Sequence, residues 1–183
     1  MKGIVFTEFL TMVENSFSLD MVDTIIEKSD LPSGGAYTSV GTYSHTEIAD
    51  LVTNLSKESG VPIPDLLKTF GTYLFHSLAK AYPEFISQTD DPLNFLEQVE
   101  TYIHVEVKKL YPDAELPTFI CSRPNSSDEL HMIYQSNRHM EDVCEGLIIG
   151  SLEHFDKECS ISRKRLNSDQ ELFIIKKHDL SDR

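Results

Sequence analysis

Residues 91–111 read DPLNFLEQVETYIHVEVKKLY and residues 112–138 read PDAELPTFICSRPNSSDELHMIYQSNR; together they decide the fold. Asp91 can accept the first free N–H groups of a helix, and Pro92 suits the opening turn. Pro112 follows Tyr111, where the helix should stop. The pattern predicts one helix over 92–111 with an apolar stripe of Leu96, Val99, Ile103, Val107 and Leu110. His104 lies beside that stripe, one turn before Lys108. Beyond Pro112 the apolar period falls from helical to alternating. Leu116–Arg123 and Glu129–Ser136 then read as strands joined by the turn-rich Pro-Asn-Ser-Ser-Asp at 124–128.

Upstream of this stretch everything reads as helix. Helices are predicted over 2–17 and 19–28, before the turn cluster Leu-Pro-Ser-Gly-Gly at 31–35. Ser44-His-Thr-Glu47 has the form of a capping box, opening a helix that buries Ile48, Leu51, Val52 and Leu55 and stops near Gly60. Another helix spans 64–81, with Gly71 in its middle. A glycine there weakens a helix by about 1 kcal/mol relative to alanine, so it implies a close contact or a hinge unless it is merely tolerated. Downstream, a helix is predicted near 139–157, and Ser160–Leu166 with Glu171–Lys177 form a second hairpin. Gly146 and Gly150 have the spacing of a membrane helix-dimer motif, but the helix is short and charged, so they fit close backbone packing. The fold class is therefore α+β. An N-terminal helical subdomain, about 1–62, packs on a C-terminal subdomain of helices and a small antiparallel sheet, about 63–183, within one domain.

Composition narrows the function. A net charge of −14 over 183 residues argues against nucleic acid or an anionic membrane as partner, since phosphate binding needs a basic face. No apolar run is long enough to span a bilayer, and Glu8 interrupts the apolar start, so it reads as an amphipathic helix rather than a signal peptide. Cys121, Cys144 and Cys159 are too few and too scattered for a disulfide framework, which points to a cytoplasmic protein.

Along 130–138, Leu130, Met132, Tyr134, Ser136 and Arg138 would share one face if strand geometry persisted to the end. That face begins apolar and ends in three hydrogen-bond donors, one a guanidinium that pairs bidentately with carboxylate. Such a face suits a flat apolar ligand with carboxylates on one edge, although a strand running from core to surface reads the same way. His104 could equally be a half-exposed surface histidine. One histidine is nevertheless enough to hold haem iron from one side and leave the other open to a gas.

At these residues the sequence resembles the bacterial haem-nitric oxide/oxygen binding (H-NOX) domains, relatives of the haem domain of soluble guanylate cyclase. The resemblance runs over essentially the whole chain: Met1-Lys2-Gly3, Phe70-Gly71, His104 with Pro117 thirteen residues on, Tyr134-x-Ser136-x-Arg138, and Glu145-Gly146-Leu147. It implies haem b buried between the subdomains, with His104 as the proximal iron ligand. Tyr134, Ser136 and Arg138 would hold the propionates, and Pro117 would press on the porphyrin. The opposite wall would come from Val5, Phe9, Leu74, Leu78, Val143 and Leu147.

The family members that hold O2 stably carry a distal tyrosine, which aligns with Val143, and supporting polar residues, which align with Leu74 and Phe9. All three positions are apolar here, so the resemblance implies an NO sensor that also takes CO and excludes O2. Tyr73 and His76 would enter the wall only if their helix were rotated. The cysteine and histidine spacing of the relatives' zinc cluster is missing, so no structural zinc is expected and the cysteines should be buried or inert. In such sensors the iron–histidine bond lengthens on NO binding, and the subdomains shift about points such as Gly71 and Gly146. Readout is expected in trans, to a sensor histidine kinase or a cyclic-di-GMP enzyme. The rival readings are an O2-binding haem protein of the same fold, a haem enzyme, and a haem-independent redox or interaction module.

Overall fold

The computed structural model describes residues 1–124 and 126–178. Four helices come first: α1 (Gly3–Ser16), α2 (Leu19–Lys28), α3 (His45–Ser59) and α4 (Ile63–Ala81). A 3₁₀ turn at Pro83–Phe85 leads to α5 (Pro92–Gln98), which runs through a π-helical segment, Val99–Ile103, into α6 (His104–Leu110). Then come β1 (Thr118–Ser122), β2 (Glu129–Gln135), α7 (Glu141–His154), β3 (Cys159–Arg165) and β4 (Gln170–Lys177). The strands form one antiparallel sheet in the order β1-β2-β4-β3.

The chain's punctuation acts largely as its chemistry dictates. Asp91 accepts the N–H groups of Leu93 and Asn94, at 2.9 and 3.2 Å, and Gly60 ends α3 at φ 74°, where a side chain would be strained. The capping box is only half made. Ser44 caps α3 through the Thr46 N–H, but Glu47 does not reach back to the cap; it is buried and accepts hydroxyls from Ser33 and Tyr37. Burial and this carboxylate push the Tyr37 phenol up to about 12, so it stays a donor, and Glu47 thereby fastens the 31–37 loop to α3.

Two corrections concern the deciding stretch. The single helix expected over 92–111 contains the π-helical segment, in which the His104 N–H bonds the Val99 carbonyl five residues back instead of four. The alternation expected through Arg138 stops at Gln135: Ser136 gives its N–H to Asp169, and its hydroxyl accepts the Arg138 N–H in a local turn at 3.2 Å. The competing local bond ends the ladder.

Two apolar clusters fill the interior. One gathers α1 to α4 around Phe6, Phe9, Phe70 and Leu74; the other lies between the sheet, α5 and α7 around Leu93, Leu130, Ile148 and Phe173. Leu147 packs against both. At the junction α4 and α7 cross backbone to backbone. A Cβ on Gly71 would stand 2.2 Å from the Val143 carbonyl oxygen, and one on Gly146 would stand 2.1 Å from that of Lys68. Close contact is thus what these two glycines provide, and Thr72 closes it with a hydroxyl bond to the Gly146 carbonyl at 3.1 Å.

Candidate functional site

His104 opens α6 with its side chain 14% exposed. Its Nδ1 lies 3.2 Å from Oε2 of Glu100, one turn earlier, and the same oxygen accepts the backbone N–H of Phe119 on β1 at 3.0 Å. Among the described residues Nε2 has no hydrogen-bond partner. Burial lowers the imidazole's pKa from its ordinary value, and nearby Glu100 opposes that shift only in part; the ring therefore favours the neutral form that metals need.

Phe119 connects His104 to Tyr134. Its ring centroid is 5.5 Å from the His104 ring and 5.8 Å from the Tyr134 ring, making one continuous aromatic line from α6 through β1 to β2. Tyr134 is buried, and burial raises its phenol pKa despite the neighbouring Ser136 hydroxyl, so it remains a donor. Pro117, half-buried, immediately precedes β1.

Ser136 and Arg138 reach the same end of the sheet through the turn after β2, and His139, at φ 53°, bends the chain into α7. The Arg138 guanidinium is 15% exposed and pairs with the carboxylate of Glu115, which is 80% exposed. It borders a cleft of about 310 Å3 that also holds Met1, Lys2, Tyr43, His45 and Asp113. The Met1 ammonium donates to the Tyr43 carbonyl at 2.8 Å. Burial and the charge of Arg138 lower its pKa, so Arg138 rather than this amine is the lasting cation at this edge.

All the residues assigned to the opposite wall collect in the N-terminal cluster. Phe9 and Leu74 are buried; Val5, Leu78, Val143 and Leu147 are half-buried and pack on the same core. His76 is turned out of this wall: it is exposed, with Nε2 2.9 Å from Glu153. Tyr73 is half-buried against the same cluster, on the helical face of Ser77, whose hydroxyl donates to Glu8 at 2.6 Å.

The cysteines have little thiolate character. Burial raises the pKa of all three: Cys121 to about 11, Cys159 less, and the fully buried Cys144 most.

The sequence model of the haem-NO-binding family matches residues 2–163. The chain belongs to the haem-NO-binding, or H-NOX, family. Solved H-NOX structures superpose along its whole length. The K. algicida protein, Fe(II) and unliganded, is 43% identical with a TM-score of 0.92, covering 98% of this chain and 97% of that one. The IWP-051-bound Shewanella woodyi protein, in the Fe(II)CO state, is 37% identical with a TM-score of 0.85, covering 100% and 97%. The S. oneidensis protein, in the Fe(II)NO state, is 27% identical with a TM-score of 0.89, covering 98% and 100%. No match was found among curated protein sequences. The H-NOX fold accounts for the α+β architecture, and no helix among the described residues is long and apolar enough to cross a membrane.

The residues present fit an iron porphyrin. Among the described residues the imidazole is held by one nitrogen with the other unpartnered, the wall is apolar, and a tyrosine, a serine and an arginine gather at one edge. Reading the sequence missed Glu100 and Phe119. Glu100 stood out only as one more acid on a charged helical side. Phe119 looked like any strand core residue.

Proposed function

We propose that the chain is a haem-based NO sensor that excludes O2. It would hold haem b through His104, place the propionates on Tyr134, Ser136 and Arg138, and pass its signal in trans to a sensor histidine kinase or a cyclic-di-GMP enzyme in the cytoplasm. Ferrous haem, when bound, supplies an iron that takes NO or CO without needing a donor but holds O2 stably only where a hydrogen-bond donor faces it. The observation that carries the reading is His104, whose Nδ1 is bonded and whose Nε2 has no partner among the described residues, in a protein whose assigned distal wall, Val5, Phe9, Leu74, Leu78, Val143 and Leu147, is wholly apolar.

Each remaining feature supports a part of it. Arg138 can exchange its exposed partner Glu115 for a propionate with little loss, because a carboxylate that is 80% exposed regains water when released. Pro117 sits at the mouth of β1, beside the Phe119 that touches His104, where a rigid ring can bear on a flat ligand. At the Gly71–Gly146 crossing neither glycine puts a side chain into the contact, so α4 could rock on α7 and a displacement of His104 would shift the N-terminal helices against the sheet. No acid–base pair stands among the assigned wall residues, which disfavours peroxidase chemistry, and the high thiol pKa values disfavour a cysteine redox switch. No zinc is assigned to the cysteines.

Absorption spectra of reduced, haem-loaded protein test this directly. The expected result is no change in air and conversion by NO to a five-coordinate spectrum. A stable oxygenated spectrum would overturn the exclusion of O2 and make Tyr73, a phenol packed on the same cluster and on the same helix as Leu74, the first donor to remove.

A further inference from the structure

Glu100 has a position that neither charge pattern nor helix propensity explains. It lies inside the π-helical segment, and a single carboxylate oxygen serves two elements: Nδ1 of His104 at 3.2 Å and the Phe119 N–H at 3.0 Å. Among the described residues β1 is an edge strand, paired only with β2, so its outward N–H groups would otherwise face water. A carboxylate oxygen has two lone pairs and accepts both donors at once. To donate, Nδ1 must carry the hydrogen, which puts the ring's free lone pair on Nε2. The neighbouring Glu97 adds a second tie to the same strand, since Arg123 grips it through Nε at 3.0 Å and Nη2 at 2.8 Å; that pair makes no bond to the histidine.

We infer that Glu100 is a positioning residue: it selects the Nδ1–H tautomer of His104, makes the ring a stronger donor at Nε2, and joins the histidine to β1. The basicity arises because a proton shared with an anion leaves more electron density on the imidazole. The joint arises because the same oxygen fixes β1, so a displacement of His104 is delivered to the sheet. This deepens the reading of His104 as haem ligand and rests on it, and the test separates the two.

The experiment compares wild type with Glu100→Ala and Glu100→Gln. In haem-free protein at pH 8, the nitrogen-15 shifts of His104 should report the Nδ1–H form in wild type and a shift toward the Nε2–H form in Glu100→Ala. Amide exchange at Phe119 should rise about tenfold in the same variant, the loss of one charge-assisted bond. Glu100→Gln keeps an acceptor without the charge, so it should retain protection at Phe119. In ferrous, haem-loaded protein both variants should lower the iron–histidine stretching frequency. Unchanged His104 tautomer and unchanged Phe119 exchange in Glu100→Ala overturn the inference. An unmoved stretch in haem-loaded variants overturns the donor-strength part alone. A wild-type chain that takes up no haem overturns the proposed function and that same part, while the haem-free arm still decides the tautomer and the joint.

Discussion

The two sides of the candidate pocket are built from different forces. The His104 side is fastened by directional, charge-assisted bonds: Asp91 to the start of α5 and to Lys177 of β4, Glu97 to Arg123, and Glu100 to His104 and β1. The opposite side is held mainly by dispersion and shape, with the Thr72 hydroxyl bond to the Gly146 carbonyl as a directional tie. Phe9 meets Phe70 edge-on at 5.3 Å, the rest of the wall is aliphatic, and α4 crosses α7 on two glycines. Charge enters this side beside the crossing, where Lys68 of α4 pairs with Glu145 of α7 at 3.3 Å; Arg163 of β3 bonds Asp142 and Glu145, both at 2.6 Å, and these partners outweigh burial and raise its pKa. Directional bonds hold one geometry and fail when it is left, whereas apolar contacts tolerate small slides. The histidine side is thus suited to keep register and the glycine side to move.

The largest effect should come from filling the crossing. Gly146→Val sets a side chain against the Lys68 carbonyl, backbone that cannot rotate aside. The expected loss is about 3 kcal/mol, a melting temperature lower by roughly 10 °C for a chain of this size. A melt within a degree or two of wild type would mean the helices separate easily and the crossing does not set the wall. Next is Arg138→Ala, which removes a fork-shaped partner from the polar edge. Haem transfer to apomyoglobin should run about tenfold faster, the worth of one charge-assisted bond, with Tyr134→Ala comparable. Unchanged transfer rates in both would remove these residues from the propionate role.

The same contrast governs what could be read from the sequence. The fold was legible wherever a residue's nearest neighbours in sequence decide its role: Asp91 as cap, Gly60 as stop, the hydrophobic periods of α1 to α4 and the two hairpins. It failed where a distant partner outbids a local one. Glu47 left the capping box because Ser33 and Tyr37 offered it two hydroxyls, and β2 ended early because Ser136 found the Asp169 carbonyl and the Arg138 N–H. The π-helical segment has no compositional mark, since one extra residue in a turn changes no hydrophobic period enough to notice. The residue set of the candidate site was legible only through the family resemblance. Its wiring through Glu100 and Phe119 depends on contacts made across the fold.

A smaller effect tests the fastened side. Burial alone would raise the pKa of Asp91, but Lys177 and the N–H groups of Asn94 and Leu93 outweigh it, and the net shift is downward. A carboxyl whose pKa is lower folded than unfolded stabilises the fold above its unfolded value, about 3.9, and that contribution disappears as pH falls through the folded value. Asp91→Ala should therefore lower stability by about 1 kcal/mol at pH 7, the usual worth of an N-cap, and the difference from wild type should shrink toward zero in stronger acid. A difference that stays constant to low pH would show that the residue acts by packing and not by charge.

The smallest expected change is the most informative about ligand choice. Val143 is half-buried in the apolar wall, and its carbonyl lies against Gly71, so the α4–α7 crossing fixes where a new side chain at 143 begins. Val143→Tyr introduces a phenol to a wall that otherwise offers a bound gas no donor. Because the hydroxyl is aimed by chance, the single variant should give weak O2 binding, less than the tenfold a well-placed bond of about 1.4 kcal/mol would supply. Adding Leu74→Asn, one turn beyond Phe70 on the facing helix, should orient the phenol and strengthen the effect, read as a stable oxygenated spectrum in air. If the double variant folds, loads haem and still ignores O2, then the missing donor is not what excludes the gas. Exclusion would then lie on the fastened side, in how firmly Glu100 and Phe119 hold the histidine.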